Sequence, residues 1–271
     1  MVIRKKEENE DPGVIITGTR SAASEAYRTL RTNIQFMTLD NLTKSLLVVG
    51  PHPGCGKTTT VVNLGMTLAQ AGCSVLLVDT DLRRPKLHSI FRCKNFFGLT
   101  TMLIEENINM NAARHRTFTP NLDVIPSGPI PPNPAELLAS RKMYRALKEF
   151  ADRYDYIVLD SPPMLNMADA SILSSLADAT IMVMAYAETT REEAVKVNQQ
   201  LQMAKANVIG TVINGMPPHQ DPYGYYGYYE EDEQPEKKQK KKPKKKKKKQ
   251  SQEEAGDFDL DFDPEKAYED L

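Results

Sequence analysis

A glycine-rich loop between an apolar run and a helical pattern constrains this fold more than any other feature. Residues 46–49 are typical of a buried strand, and residues 57–71 carry apolar side chains at helical spacing. The loop between them ends in Gly54, Cys55, Gly56, Lys57, Thr58 and Thr59. This order fits a phosphate-binding P-loop, although Pro51 stands at the usual position of its first glycine. We therefore expect backbone amides and a helix N-terminus to cradle an anion here.

Further apolar runs alternate with helical patterns along the chain. The runs are residues 75–78, 122–125, 157–159, 181–184 and 208–213, and the patterns are residues 21–37, 135–150 and 190–206. Near-continuous apolar strands indicate a parallel sheet that is covered on both faces. Asn133 and Pro134 favour a helix start before residue 135. The sequence thus predicts a single α/β domain over residues 21–215, with a doubly wound, mostly parallel sheet.

Three acidic residues follow two of the predicted strands. Asp79 and Asp81 follow the run at 75–78, and Asp160 follows the run at 157–159. Ligands in open α/β sheets bind at the carboxyl ends of the strands. One such acid alone could be a helix cap or a turn residue. Their shared position beside the loop instead predicts a Mg²⁺ site with the Thr58 hydroxyl.

The ends of the chain differ in composition from the predicted domain. Residues 1–20 are expected to be a flexible segment, and residues 216–271 a disordered tail. In the tail, acids at 230–236 precede eleven lysines at 237–249, and a second acidic stretch closes the chain. Blocks of like charge repel one another and stay solvated, and this segment lacks the apolar periodicity of a packed domain.

Cysteine use and hydropathy point to the cytoplasm. Cys55, Cys73 and Cys93 are odd in number and lack metal-ligand spacing, which favours a reducing compartment without a disulfide framework. We expect neither a signal peptide nor a spanning helix, since no run approaches 18 apolar residues.

Several motifs in a fixed order give the chain a family resemblance. They are the P-loop, D-x-D-x-R at Asp79, Asp81 and Arg83, D-S-P-P from Asp160, G-x-x-P-P-N-P-x-E-L-L from Gly128, and E-x-x-R-x-x-R at Glu25, Arg28 and Arg31. Five tyrosines follow at Tyr223, Tyr225, Tyr226, Tyr228 and Tyr229. Over residues 21–229 the chain resembles the bacterial tyrosine kinases (BY-kinases) of the cytosolic type, found in capsule and exopolysaccharide export systems. The resemblance implies a P-loop NTPase fold with a deviant Walker A motif of the MinD/ParA type.

The resemblance also implies roles for single residues, with ATP and Mg²⁺ as cofactors. It assigns phosphate binding to residues 54–59, Mg²⁺ to Thr58 and Asp81, and water-mediated metal contact to Asp160. Asp79 becomes the base that accepts the proton of a tyrosine hydroxyl, and Lys57 stabilises charge on the phosphoryl group. Arg83 either contacts phosphate or anchors its loop.

By the same resemblance the kinase forms a homo-oligomeric ring, assembled in part by Glu25, Arg28 and Arg31. The tail of one subunit enters the active site of its neighbour, where the tyrosine cluster at 223–229 is phosphorylated. A membrane-embedded activator of polysaccharide export recruits the kinase to the inner face of the membrane. Each feature also has a plain reading. Glu25, Arg28 and Arg31 could be a solvated helix face with an internal ion pair, and the tyrosine cluster could be a low-complexity aromatic segment.

Three questions stay open at this stage. The lysine run could contact anionic membranes or nucleic acid, or be neutralised by the flanking acids. A ParA/MinD-like ATPase switch shares the P-loop and the acids, but it has a signature lysine where this chain has His52. A scaffold without catalytic activity is the third reading of the function.

Overall fold

A seven-stranded sheet forms the centre of the computed structural model, which describes residues 21–38, 43–105 and 110–217. The strands are β1 (Ser45–Val49), β2 (Val75–Asp79), β3 (His115–Arg116), β4 (Leu122–Ile125), β5 (Tyr156–Asp160), β6 (Ala179–Ala185) and β7 (Val208–Asn214). Their order is β3-β4-β2-β5-β1-β6-β7, and every neighbouring pair is parallel except β3 with β4. The predicted doubly wound, mostly parallel sheet is confirmed.

Helices cover both faces of this sheet. They are α1 (Ala22–Met37), α2 (Lys57–Gln70), α3 (Leu87–Ile90), α4 (Leu99–Ile104), α5 (Met110–Ala113), α6 (Pro134–Leu138), α7 (Arg141–Arg153), α8 (Asp169–Leu176) and α9 (Arg191–Met203). Successive strand residues point to opposite faces, so Leu46 and Val48 pack with α1 and α2, whereas Leu47 and Val49 pack in the core beneath α7 and α8. Two apolar cores thus explain why the strands read as unbroken apolar runs.

The prediction of one helix over residues 135–150 is wrong, because the helix is interrupted between α6 and α7. The Ser140 side chain accepts a hydrogen bond from the Met143 amide at 3.2 Å and starts α7 as its N-cap. Pro134 does begin α6, but the Asn133 side chain caps no backbone amide and instead donates to Glu136. Both helices bury apolar side chains in the same core, so apolar spacing alone does not reveal the break.

The other predicted helix starts agree with the structure. Ser21 and Ser24 form a capping box at α1, and Thr190 and Glu193 form one at α9. Within the described ranges, no helix combines the length and apolar character that crossing a membrane requires. The segments 1–20 and 218–271 lie outside the described residues, so the flexible start, the disordered tail, the tyrosine cluster and the lysine run stay predictions.

Candidate functional site

The loop between β1 and α2 has a backbone conformation that requires glycine. Gly54 and Gly56 have φ of +86° and +100°, in the left-handed region that side chains disfavour. A Cβ on Gly56 would also lie 2.0 Å from Asn214 Nδ2, whereas one on Gly54 would meet open space. Asn214, at the end of β7, donates to the Cys55 carbonyl at 3.4 Å. The last strand thus supports the loop that opens α2.

Lys57 is the first residue of α2 and is held close to the loop. Its Nζ donates to the His52 carbonyl at 3.0 Å, and only 7% of the residue is exposed. The Cys55 thiol is buried beneath the loop, with its Sγ 3.7 Å from Lys57 Nζ. Cys55 can therefore face an anion only through its backbone amide.

A cavity of about 300 Å³ opens at the carboxyl edge of the sheet, where three segments meet. The residues that line it are Pro53, Gly54, Gly56, Lys57, Thr58 and Thr59 from the loop, Asp81, Arg84 and Lys86 after β2, and Ser161 and Pro163 after β5. Cationic groups and backbone amides on its walls suit a phosphorylated ligand.

Two carboxylates lie buried behind this cavity on paired strands. Asp79 stands opposite Asp160 in the register of β2 with β5. The Thr58 hydroxyl donates to Asp160 Oδ2 at 2.7 Å, and Asp79 Oδ2 accepts the amides of Lys86 and Leu87 at 2.9 Å each. Each carboxylate has a second oxygen, Oδ1, that is buried and without a partner among the described residues.

Burial raises the pKa of both carboxyls. The pKa of Asp160 rises to about 7, mainly by desolvation and against the hydrogen bond from Thr58. The pKa of Asp79 lies well above its ordinary value, first because of burial and then because of the Asp160 charge. Two buried acids this close hold negative charge that only a cation or a proton can offset.

The residues here fit a hydrated Mg²⁺. The Thr58 hydroxyl, Asp81 and the free Asp160 Oδ1 supply the hard oxygen ligands that this ion prefers. No three His, Cys, Asp or Glu side chains of the described ranges form a ready-made metal cage. This arrangement suits Mg²⁺, which keeps several waters and binds through one or two carboxylates and the substrate phosphates.

The loop after β2 is anchored by Asp81 within it and by Asp169 of α8. Asp81 Oδ1 accepts the backbone amides of Arg83 at 3.2 Å and Arg84 at 2.9 Å. The Arg83 guanidinium binds the buried Asp169 carboxylate of α8 at 2.6 Å and 3.3 Å, which raises the pKa of Arg83. Of the two roles considered for Arg83, the geometry shows the anchor.

The site residues predicted from sequence converge on this edge, but not all of them reach the cavity. Gly54, Gly56, Lys57, Thr58, Thr59 and Asp81 line it, whereas Cys55, Asp79 and Asp160 are buried next to it. Sequence reasoning missed Arg84, Lys86 and Asn214. Arg84 and Lys86 lie one and three residues after the D-x-D-x-R motif, and this closeness is a signal that could have been used. The role of Asn214 shows only once β7 is placed beside the loop.

The predicted oligomer face on α1 is in part held within the chain. Glu25 and Arg28 form an ion pair one turn apart, as the plain reading expected. Arg31 Nη1 donates to the Thr67 carbonyl of α2 at 3.3 Å. The role of this face in a ring stays a prediction.

Comparisons with known proteins agree with this geometry. A family model described as an AAA domain matches residues 44–209. The tyrosine-protein kinase YwqD of Bacillus subtilis (strain 168) is 42% identical over 215 residues, which cover 79% of this chain and 90% of that protein. The kinase domain of Escherichia coli tyrosine kinase ETK superposes with a TM-score of 0.70 at 32% identity, over 73% of this chain and 77% of that one.

The cell division ATPase MinD of Pyrococcus furiosus shares the fold less closely. Its TM-score is 0.56 at 25% identity, over 69% of this chain and 80% of that one. The closer structural match to a kinase domain accords with His52 at the place of the signature lysine of ParA/MinD-like switches. On these matches and on its motifs, the chain belongs to the bacterial tyrosine kinases, built on a P-loop NTPase fold.

Proposed function

We propose that this kinase transfers the γ-phosphoryl group of ATP to the tyrosine cluster at 223–229 of a neighbouring copy. The observation that carries the proposal is that the P-loop and Asp81 line one cavity, with the buried pair Asp79 and Asp160 next to it. Phosphoryl transfer depends mainly on positioning and on electrostatic stabilisation, and this edge of the sheet supplies both.

The nucleotide phosphates bind along residues 54–59 in this proposal. Backbone amides and the N-terminus of α2 face the β- and γ-phosphates, and the Lys57 ammonium moves from the His52 carbonyl to a phosphate oxygen. Thr58, Asp81 and Asp160 hold Mg²⁺, which neutralises charge on the transferring group when bound. Removal of Lys57 should therefore abolish transfer while the fold is kept.

Asp79 accepts the proton of the incoming tyrosine hydroxyl. Its raised pKa makes it a stronger base than an ordinary aspartate, and its Oδ1 is free to accept a proton. Asp79 has no exposed surface, and the amides of Lys86 and Leu87 hold its other oxygen. The phenol must therefore reach Asp79 from the Oδ1 side, while the two amides keep hold of Oδ2.

The acceptor tyrosines come from another copy in a homo-oligomeric ring, to which Glu25, Arg28 and Arg31 contribute. A membrane-embedded activator brings the kinase from the cytoplasm to the inner face of the membrane, and the cycle of phosphorylation regulates capsular or exopolysaccharide synthesis and export. Family membership supports this part of the proposal. The lysine run at 237–249 adds contact with anionic lipid, with nucleic acid as the other ligand of the same charge.

A mixing experiment tests transfer between copies. One chain carries Lys57→Met and keeps its tyrosines, and the other keeps its active site but has all five cluster tyrosines replaced by Phe. With labelled ATP, Mg²⁺ and an activating partner segment, label should appear on the Lys57→Met chain within residues 223–229. ATP hydrolysis without label on tyrosine would instead indicate an ATPase switch. The absence of both hydrolysis and labelling would indicate a scaffold.

A further inference from the structure

Two cationic side chains of the cavity, Arg84 and Lys86, take part in none of the close ion pairs among the described residues, although the Lys86 charge acts through space on the buried Asp160. Both are exposed and line the cavity. The ion pairs of the described ranges join other residues, namely Glu25 to Arg28, Arg83 to Asp169, Arg114 to Asp123 and Glu149 to Arg153. Free guanidinium and ammonium groups at a binding cavity are available to an anionic ligand.

The backbone beneath these two cations is fixed by three carboxylates. Asp81 accepts the amide of Arg84, and Asp79 accepts the amide of Lys86. Between β2 and these positions, Arg83 ties the same loop to the buried Asp169. The backbone is therefore held in place while the charged groups stay free, so less ordering entropy is lost when a ligand binds.

The cations belong to a different segment of the cavity lining from the P-loop. The loop amides and Lys57 face the β- and γ-phosphates, and in-line transfer brings the acceptor oxygen to the γ-phosphate from the side opposite the leaving group. The wall formed by residues 81–86 can therefore meet the chain that carries the acceptor. In this sequence the tyrosine cluster is followed at once by four consecutive acids, Glu230, Glu231, Asp232 and Glu233.

We propose that Arg84 and Lys86 bind the four acids at 230–233 of the neighbouring copy, so that the kinase selects tyrosines that are followed by carboxylates. The inference rests on the proposed function and specifies its substrate. Guanidinium and ammonium groups donate charge-assisted hydrogen bonds to carboxylates, and two such cations act together here.

The position of the acids predicts that the phosphorylation rate depends on them most strongly at Tyr229 and least at Tyr223. Tyr229 is bonded directly to Glu230, whereas Tyr223 is seven residues away, up to about 25 Å of extended chain. When Tyr228 or Tyr229 is at the active site, the acids lie within reach of the loop after β2. Replacement of the four acids by neutral residues should therefore slow phosphorylation of Tyr228 and Tyr229 most, and that of Tyr223 least.

The test uses the mixing experiment as a double-mutant cycle. The enzyme chain, with its five Phe residues, carries either native cations or R84A/K86A. The substrate chain, with Lys57→Met, carries either native acids or E230Q/E231Q/D232N/E233Q. Initial rates at each tyrosine are measured by mass spectrometry. Either set of changes should slow labelling of Tyr228 and Tyr229 by about five- to tenfold, and the two together should slow it little further.

A matched control and a charge reversal complete the design. The enzyme variant R145A/K148A removes two exposed cations of α7, away from the cavity, and should label the native substrate at the unmodified rate. An R84E/K86E enzyme should regain part of its rate on a substrate whose four acids are replaced by lysine. This rescue requires a direct charge contact between the two chains.

Two results would overturn the inference and are distinct from failure of the proposed function. Equal slowing of native and neutral substrates by R84A/K86A would place the two cations on the nucleotide instead. Equal labelling of native and neutral substrates by the native enzyme would show that the acids are not recognised. An absence of label from residues 223–229 in every combination would instead refute the proposed function, and with it the inference.

Discussion

The Asp160 carboxyl is buried beside Thr58 and Asp79, in a place where its charge has little solvation. Its pKa is about 7 in the folded chain and 3.8 in the unfolded chain. Between these pH values the folded chain holds a proton on Asp160 that the unfolded chain has already released. Stability therefore falls as the pH rises through this window, and the whole cost is present above it. The buried Asp160 charge therefore destabilises the metal-free fold.

Replacement of Asp160 by Asn should stabilise the protein without Mg²⁺ and nucleotide. The amide oxygen can still accept the Thr58 hydroxyl, and no charge is buried. We expect a gain of about 1 to 3 kcal/mol at pH 8, or several degrees in Tm, that shrinks towards pH 4.5. Thermal unfolding at pH 4.5, 6 and 8 measures it, with the exposed Asp152→Asn as control. A variant that is less stable than the native chain at pH 8 would contradict this account of Asp160.

The Asp79→Asn variant separates the proposed base from the metal ligands. Because the pKa of Asp79 is raised, the native rate should increase with pH above the ordinary aspartate range and then level off. Asn cannot accept the proton, so the rate of tail labelling should fall by about 100-fold or more and lose this pH-dependent limb. Binding of Mg·ADP should persist, as measured by calorimetry. A native-like pH profile in the variant would exclude Asp79 as the base.

At the scale of elements, the P-loop depends on β7 as well as on its own glycines. Gly54 and Gly56 share a left-handed backbone, but only Gly56 lies against the Asn214 side chain. These two glycines therefore separate the cost of backbone conformation from the cost of a steric contact between elements.

Gly56→Ala should destabilise the fold more than Gly54→Ala. Each change places alanine in a left-handed conformation at about 1 to 2 kcal/mol, and only the first forces Asn214 to move. Measured against Asn214→Ala alone, the double variant Gly56→Ala/Asn214→Ala should lose the excess cost and keep the conformational cost. Urea unfolding and ADP binding measure the four variants. Equal losses for both single variants would show that β7 does not support the loop.

The sequence predicts the strands that are buried on both faces, because burial makes nearly all of their residues apolar. β1, β2 and β5 are covered on both faces, so their apolar runs identify them. The two-residue β3 is too short to show a pattern, and the break between α6 and α7 depends on one capping bond from Ser140.

For the site, the residues within local motifs are predictable, and those that act across the sheet are not. Asp79, Asp81 and Lys57 belong to such motifs. Asn214 supports a loop 159 residues earlier, through its bond to Cys55, and Arg83 meets Asp169 86 residues further along. These contacts follow from strand order, which local patterns do not determine.

At the scale of the whole molecule, assembly and phosphorylation are expected to oppose each other. Each phosphotyrosine adds about −1.5 to −2 charges beside the acids at 230–233. In the proposed ring, the phosphorylated acidic tails of neighbouring copies would then repel one another.

Phosphorylation should therefore reduce the size of the oligomer. After incubation with Mg·ATP and an activating partner segment, the native chain should elute as a smaller species than the variant with five Phe residues in the cluster. The same two proteins without ATP should elute together and serve as the control. Identical elution after phosphorylation would remove charge repulsion as the cause of ring dissociation.

The most direct test of the central claim is mass spectrometry of the tail after reaction with Mg·ATP. The claim is that the cavity at the P-loop phosphorylates the tyrosines at 223–229. We predict phosphotyrosine on this segment in the native protein and none in a sample that contains only the Lys57→Met variant. An unmodified tail in the native protein, with the nucleotide bound and the activating segment present, would contradict it.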